Sequence, residues 1–154
     1  MTVLIIGLGH PDRGDDAAGL IAVQALGPDP APGVRVLPAP AGLVSVLEEL
    51  VGADRVVLVD AVRSGAIPGT LHKVDLVHAP LRHDAAASTH GVDVPGAIEL
   101  ARTLDWLPPE AVLVGVEAAD LTVGVPMDPR VRAALPRLIA LAMTAATEVH
   151  RVPG

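Results

Sequence analysis

The sequence has 154 residues, of which 51% are hydrophobic, with a formal net charge of −7 and no cysteine. This length suits one domain with a substantial core, and an acidic chain without a Lys/Arg cluster is not expected to bind nucleic acid. Without cysteine, a metal site would have to use imidazole and carboxylate groups. The chain shows no basic leader segment and no apolar run of membrane-spanning length, which predicts a cytoplasmic protein.

Aliphatic runs alternate with helical patterns along most of the chain. The runs at residues 3–6 and 55–60 are continuous, as expected for strands that are covered on both faces. This alternation predicts a parallel sheet with right-handed crossovers. In chain order, we predict a strand at 3–6, a helix at 17–26, a strand at 34–37, a helix at 43–51, strands at 55–60 and 70–75, a helix from about 93 to 104, a strand at 111–117 and a helix from 129 to about 150.

Parts of this prediction stay open. Residues 70–75 alternate between apolar and polar side chains, which indicates a sheet edge that is either parallel or antiparallel. The last helix contains Pro136, so one kinked helix and a short turn followed by a longer helix are both compatible with the pattern. Residues 76–91 show no period, and residues 120–128 are predicted to form an exposed loop.

The segment GLGHPDRGDD, residues 7–16, joins the first predicted strand to the first helix. It is not a dinucleotide fingerprint, because Asp12 stands at the third glycine position and acidic side chains at a helix start would repel a pyrophosphate. One carboxylate is enough to cap the helix. We therefore expect Asp15 to be the cap and Asp16 to face the crevice at the carboxyl edge of the sheet, where open α/β sheets bind ligands.

Two further residues could join Asp16 in a ligand site. Asp60 ends an aliphatic strand, and it would converge with Asp16 if the two strands are neighbours. His90, in the segment Ser-Thr-His-Gly, precedes a predicted helix and would add an imidazole. Two carboxylates and one imidazole suit Zn²⁺, Ni²⁺, Co²⁺ or Mn²⁺ better than Ca²⁺. His10 lies in the opening turn and its role is open, whereas His72, His78, His83 and His150 are expected at the surface.

Standard hydrolase motifs are missing from the sequence. None of the three serines lies in a Gly-x-Ser-x-Gly elbow, and no His-Glu-x-x-His segment is present. A protease with paired aspartates across a two-lobed cleft would require this short chain to dimerise. A divalent cation bound by Asp16, Asp60 and His90 is therefore the chemistry that the residues themselves favour.

Four motifs in order resemble the endopeptidases that mature the large subunit of nickel–iron hydrogenases. They are GLGHPDRGDDAAG at 7–19, Leu-Val-Asp-Ala at 58–61 with Pro-Gly-Thr at 68–70, Ser-Thr-His-Gly at 88–91, and Val-Gly-Val-Glu at 114–117. The resemblance extends over essentially the whole chain. It implies one α/β domain spanning residues 1–154, with a twisted, mostly parallel five-stranded sheet between helices.

The resemblance also implies an activity. The resemblance implies a nickel-dependent cut that removes a C-terminal extension from the precursor of the hydrogenase large subunit. We hypothesise that this cut follows nickel insertion and that the precursor supplies the nickel. Carried onto this chain, the metal ligands are Asp16, Asp60 and His90. Our own hypothesis for the mechanism is that Asp16 or Asp60 acts as the catalytic base. Two alternatives are a non-proteolytic nickel-sensing chaperone and a related peptidase that acts on a non-hydrogenase precursor. His10 replaces the family's usual Asn, and Ala17 a common Gly, which leaves the type of hydrogenase open.

Overall fold

The fold is built on one five-stranded sheet, seen in a computed structural model that describes residues 1–12, 14–78 and 94–149. The strand order is β2-β1-β3-β5-β4, and only β4 is antiparallel, paired with β5 at one edge. The predicted α/β class and mostly parallel sheet are confirmed, including the placement of β4 at an edge. The strands are β1 (Val3–Leu8), β2 (Val34–Ala39), β3 (Arg55–Val62), β4 (Leu71–Asp75) and β5 (Glu110–Glu117).

Helices cover both faces of this sheet. The α-helices are α1 (Ala18–Leu26), α2 (Val94–Thr103) and α3 (Pro129–Thr147). Because side chains alternate along a strand, Val3 and Ile5 of β1 pack in the layer with α1 and α3, whereas Leu4 and Ile6 pack in the layer with α2. Burial on both faces explains why the strands are continuous aliphatic runs. Among the described residues, no helix combines the length and the apolar composition needed to cross a membrane.

Two helical predictions differ from the structure. The helix expected at 43–51 is a 3₁₀ segment, Leu43–Leu50, which is interrupted at Val46 by a non-helical backbone. Its first turn is closed locally, since both the backbone N–H and the hydroxyl of Ser45 donate to the Gly42 carbonyl, and such bonds compete with an α-helix. The closing helix continues through Pro136 as one element, so the alternative of a separate first turn is wrong.

Glycines allow α1 to approach the strands closely. A methyl group at Gly19 would collide with the carbonyl oxygens of Leu8 and Val59, and one at Gly7 would lie 2.5 Å from the Gly19 carbonyl oxygen. The start of α1 therefore lies directly on the carboxyl ends of β1 and β3. This contact brings the acidic turn that precedes α1 to the same edge of the sheet as the end of β3.

The outer edge of β2 is covered by the loop before it. The Val36 N–H donates to the Pro28 carbonyl at 2.9 Å, and the Val34 N–H donates to the Ala31 carbonyl at 3.0 Å. Residues two apart in a strand point their N–H groups to the same side, so position 38 also faces away from β1, and there Pro38 has no N–H.

Candidate active site

The acidic turn is a short 3₁₀ segment, Gly14–Ala17, between β1 and α1. It brings Asp16 back over the end of β1, because the His10 N–H donates to the Asp16 carbonyl oxygen at 3.1 Å. Gly9 has a φ of 145°, and a side chain there would collide with the same carbonyl oxygen. Asp15 and Asp16 are both buried, with 1% and 3% of their surface exposed.

Asp60 lies on β3 at the same edge of the sheet, with only 4% of its surface exposed. Burial, and then the negative charge of Asp16, raise the pKa of the Asp60 carboxyl well above its usual range, although a hydrogen bond from the Ala61 N–H at 2.8 Å opposes this. Since β1 and β3 are adjacent parallel strands, the structure brings Asp16 and Asp60 together, as the sequence predicted. Their catalytic and metal-binding roles stay predictions.

The third predicted ligand, His90, lies outside the described residues. Within the described ranges, no three His, Asp or Glu side chains are grouped so that they could hold a metal ion. The ligand set Asp16, Asp60 and His90 therefore stays a prediction. His10 lies beside the acidic turn, where its Nδ1 accepts the Asp12 N–H at 3.2 Å. That ring nitrogen would have to give up this bond before it could bind a cation.

The prediction that Asp15 caps α1 is wrong. The N-cap residue of α1 is Ala17, without a side-chain hydrogen bond, and the Asp15 carboxylate instead accepts three backbone N–H groups from a distant part of the chain. The donors belong to what we call the β5–α3 segment, residues 118–128. Residues 120–128 are also not a wholly exposed loop, because Leu121 and Met127 are buried.

A second buried carboxylate cluster lies at the end of β5. Glu117, which is 2% exposed, accepts the Ser64 hydroxyl on Oε1 at 2.6 Å and the Ser64 N–H on Oε2 at 2.8 Å. His72 Nε2 lies 3.0 Å from the same Oε1. Burial alone would raise the pKa of Glu117, but the bonds from Ser64 and His72 outweigh it and lower that pKa. Glu117 therefore ties the loop after β3 to the end of β5.

Sequence reasoning missed this cluster. His72 was expected to be a surface residue, yet it contacts a buried carboxylate across the β4–β5 pair. The available signal was that Glu117, like Asp60, lies at the carboxyl end of a continuous aliphatic strand. A carboxylate at that position needs donors or a cation, because burial without them is unfavourable.

The chemistry of the Asp16 and Asp60 pair fits a divalent cation. The Asp60 carboxylate has one hydrogen-bond donor among the described residues, the Ala61 N–H on Oδ1, and no Arg or Lys in those ranges forms an ion pair with it. Two neighbouring buried carboxylates repel each other, and a bound cation would relieve that repulsion. Oxygen ligands of this kind, with an added imidazole, suit a hard-to-borderline metal ion.

This fold is that of the hydrogenase maturation endopeptidases. The structure of the HybD maturating endopeptidase from Escherichia coli superimposes with a TM-score of 0.81 at 22% sequence identity, covering 94% of this chain and 91% of that one. The [NiFe] hydrogenase maturation protease HybD from Thermococcus kodakarensis superimposes with a TM-score of 0.75 at 26% identity, covering 96% and 100% of the two chains.

Sequence comparisons give the same assignment. Residues 28–145 match the HycI family, described as hydrogenase maturation protease. The hydrogenase expression/formation protein HupM of Azotobacter chroococcum is 30% identical over 148 residues, which cover 92% of this chain and 69% of HupM. The chain therefore belongs to the hydrogenase maturation protease family, and it is an endopeptidase. The recognised resemblance is confirmed.

Proposed function

We propose that this endopeptidase removes the C-terminal extension of a nickel–iron hydrogenase large-subunit precursor after nickel insertion, and that it recognises the inserted nickel. The proposal is carried by the Asp16 and Asp60 pair, two buried carboxylates at one sheet edge, where burial and then the charge of Asp16 raise the pKa of Asp60. A site with this negative charge binds a substrate most favourably when the substrate carries a cation.

In this proposal, nickel is part of the substrate. Asp16, Asp60 and His90 contact the ion in the precursor, which places the scissile peptide bond beside the two carboxylates. A nickel ion held there would polarise the scissile carbonyl as a Lewis acid. One carboxylate, Asp16 or Asp60, would accept a proton from the attacking water and return it to the leaving amine as the C–N bond breaks. A precursor without nickel lacks the charge that offsets the carboxylate repulsion, so it binds less well and is cut slowly.

The test is cleavage in vitro of the large-subunit precursor of the source organism, prepared with and without nickel and followed by mass spectrometry of the product. We expect rapid loss of the C-terminal extension only from the nickel-loaded form. Equal processing of both forms would show that nickel is not recognised. Mass spectrometry also identifies the bond that is cut.

Variants separate cleavage from binding. Asp16→Asn and Asp60→Asn keep the size of each side chain and remove its charge, and we expect each to abolish cleavage. Asp12→Asn makes the same change at an exposed position of the opening turn and should cleave normally. Full cleavage by Asp16→Asn or Asp60→Asn would remove that residue from the proposed mechanism. An Asp16→Asn protein that binds the precursor without cutting it would count against a chaperone that only inspects its partner.

A non-hydrogenase precursor is the remaining alternative substrate. The family assignment favours a hydrogenase precursor, since the matched relatives are named for hydrogenase maturation or formation. Mass spectrometry of the large subunit from cells with and without this protein decides between them. A large subunit of mature length in cells that lack the protein would contradict the proposed substrate.

A further inference from the structure

Asp15 binds three backbone groups that lie more than 100 positions further along the chain. Its Oδ2 accepts the N–H groups of Ala119 at 2.7 Å and Asp120 at 3.0 Å, and its Oδ1 accepts the N–H of Asp128 at 2.7 Å. Only 1% of Asp15 is exposed, so the carboxylate itself is buried, while the three hydrogen bonds are partly buried. Hydrogen bonds to a charged acceptor are roughly twice as strong as neutral ones, so this carboxylate holds the β5–α3 segment firmly.

Two backbone contacts join the same turn and segment. The Gly124 N–H donates to the Asp12 carbonyl oxygen at 2.9 Å. Gly14 has a φ of 46° and approaches the segment so closely that a side chain would collide with the Val125 carbonyl oxygen. Contacts at Asp12, Gly14 and Asp15 therefore join this part of the chain to the β5–α3 segment.

Asp16 needs such support for a physical reason. It belongs to a 3₁₀ segment of four residues, and so short an element has little stability of its own. Asp16 and Asp60 are both buried at the same edge of the sheet, so their negative charges repel each other across the site. Without an anchor, the turn would relax so that Asp16 moves away from Asp60.

We propose that Asp15 is a positioning residue: by binding the N–H groups of Ala119, Asp120 and Asp128, it holds the turn so that Asp16 stays opposite Asp60. This inference rests on the proposed function only for the role of Asp16. Asp15 itself does not touch the substrate. Its effect is on the geometry of its neighbour, and therefore on the rate of the chemical step more than on docking of the precursor.

Two variants distinguish hydrogen-bond geometry from charge. Asp15→Asn keeps the size, but it puts an NH₂ group against at least one of the three N–H donors. Asp15→Glu keeps the charge, but it is one methylene too long for the same three bonds. With the nickel-loaded precursor, we expect each variant to lower kcat at least 10-fold while KM changes less than about threefold. Hydrogen exchange at residues 119, 120 and 128 should accelerate at least 10-fold in both.

Arg55→Lys is the control for general destabilisation. Arg55 lies at the opposite, amino edge of the sheet, where it binds the last carbonyl groups of α3, so its replacement lowers Tm without touching the turn. We expect Arg55→Lys to keep its kcat and its exchange at residues 119, 120 and 128. An Asp15→Glu protein with normal kcat would overturn the inference. A decrease in kcat of the Asp15 variants no larger than that of Arg55→Lys would overturn it as well.

A milder pair of variants carries the test if the Asp15 variants do not fold. Gly124→Ala and Gly52→Ala introduce the same strain, since the two glycines have φ of 82° and 81° and no atom within 4 Å of an added methyl group. Only Gly124 lies in the β5–α3 segment. We expect Gly124→Ala to lower kcat at least threefold relative to Gly52→Ala, and equal values would overturn the inference.

The inference and the proposed function can fail separately. If Asp16→Asn is inactive while both Asp15 variants cleave at the normal rate, only the inference fails. If Asp16→Asn cleaves normally, the proposed role of Asp16 fails. Accelerated exchange at residues 119, 120 and 128 in Asp15→Asn would then still show the anchoring, although it would have no catalytic consequence.

Discussion

Replacing Asp60 by Asn is expected to make the protein more stable while it abolishes cleavage. The carboxylate is buried beside Asp16, and one backbone N–H on Oδ1 is its hydrogen-bond donor among the described residues. The carbonyl oxygen of Asn can still accept that N–H. The amide carries no charge, so burial and the repulsion from Asp16 no longer oppose folding.

The size of the effect follows from these contacts. A buried ion costs several kcal/mol after relaxation, and one hydrogen bond to a charged group offsets about 1.5–3 kcal/mol of that. We therefore expect Asp60→Asn to gain about 2 kcal/mol at pH 7.5. For a chain of 154 residues this corresponds to a Tm about 4–8 °C higher, measured by calorimetry in buffer with a metal chelator.

The pH dependence gives the sharper check. The pKa of the Asp60 carboxyl is about 3.9 in the unfolded chain and is raised in the folded protein, so the unfolded chain releases the Asp60 proton at lower pH. The wild-type protein therefore loses stability as the pH rises from about 3.9 to the folded-state pKa. The advantage of Asp60→Asn should vanish below about pH 3.5, where both states of the wild type are protonated. The reasoning would be refuted if Asp60→Asn were no more stable than the wild type at pH 7.5. It would also be refuted if the stability advantage of the variant were the same at pH 3 as at pH 7.5.

Asp75→Asn is the matched control for that experiment. Burial opposes ionisation of Asp75, but hydrogen bonds from His78 and Val77 together outweigh it and lower the pKa of this exposed carboxyl. The same chemical change there should leave Tm unchanged or lower it at pH 7.5. A rise in Tm equal to that of Asp60→Asn would mean that loss of net negative charge, and not burial, explains both results.

Two further predictions concern the support of the site. Gly19→Ala should lower the free energy of unfolding by about 3 kcal/mol, because the methyl group would collide with the carbonyl oxygens of Leu8 and Val59. Urea unfolding measures this loss. A loss no greater than that of Gly52→Ala would contradict the close contact. Glu117→Gln should cost about 1–3 kcal/mol at pH 7, because Ser64 and His72 lose a charged acceptor. Because the pKa of Glu117 is lowered in the folded state, its carboxylate contributes fully to stability above about pH 4.3, and this contribution is lost as the pH falls through the folded-state pKa. A Glu117→Gln variant that loses as much stability at pH 3 as at pH 7 would contradict this role of the carboxylate.

The strands could be predicted because burial on both faces leaves a strong signal. The runs that became β1 and β3 are aliphatic without interruption, and their order with the intervening helical patterns was enough to place Asp16 and Asp60 at one edge. The mixed polar and apolar pattern that predicted an edge strand corresponds to β4. Segment 43–50 was assigned the wrong helix type, because its first turn is closed by local bonds to Gly42 that hydrophobic spacing does not reveal.

The contacts that support the site could not be predicted in the same way. Asp15 is separated from its three donors by 104 to 113 positions, and Glu117 from His72 by 45. Helix-start statistics favour a cap for an isolated Asp near α1, but tertiary packing placed unsatisfied N–H groups of the β5–α3 segment within its reach. Only the topology shows that these partners meet.

The covered edge of β2 limits how a polypeptide substrate can associate with this protein. An extended peptide commonly joins an exposed sheet edge through main-chain hydrogen bonds. At β2, the N–H groups of Val34 and Val36 are already used by the preceding loop, and Pro38 has none. Strand addition there would first have to displace residues 28–31. The same arrangement protects the edge from pairing with a second copy of the chain, which guards against aggregation.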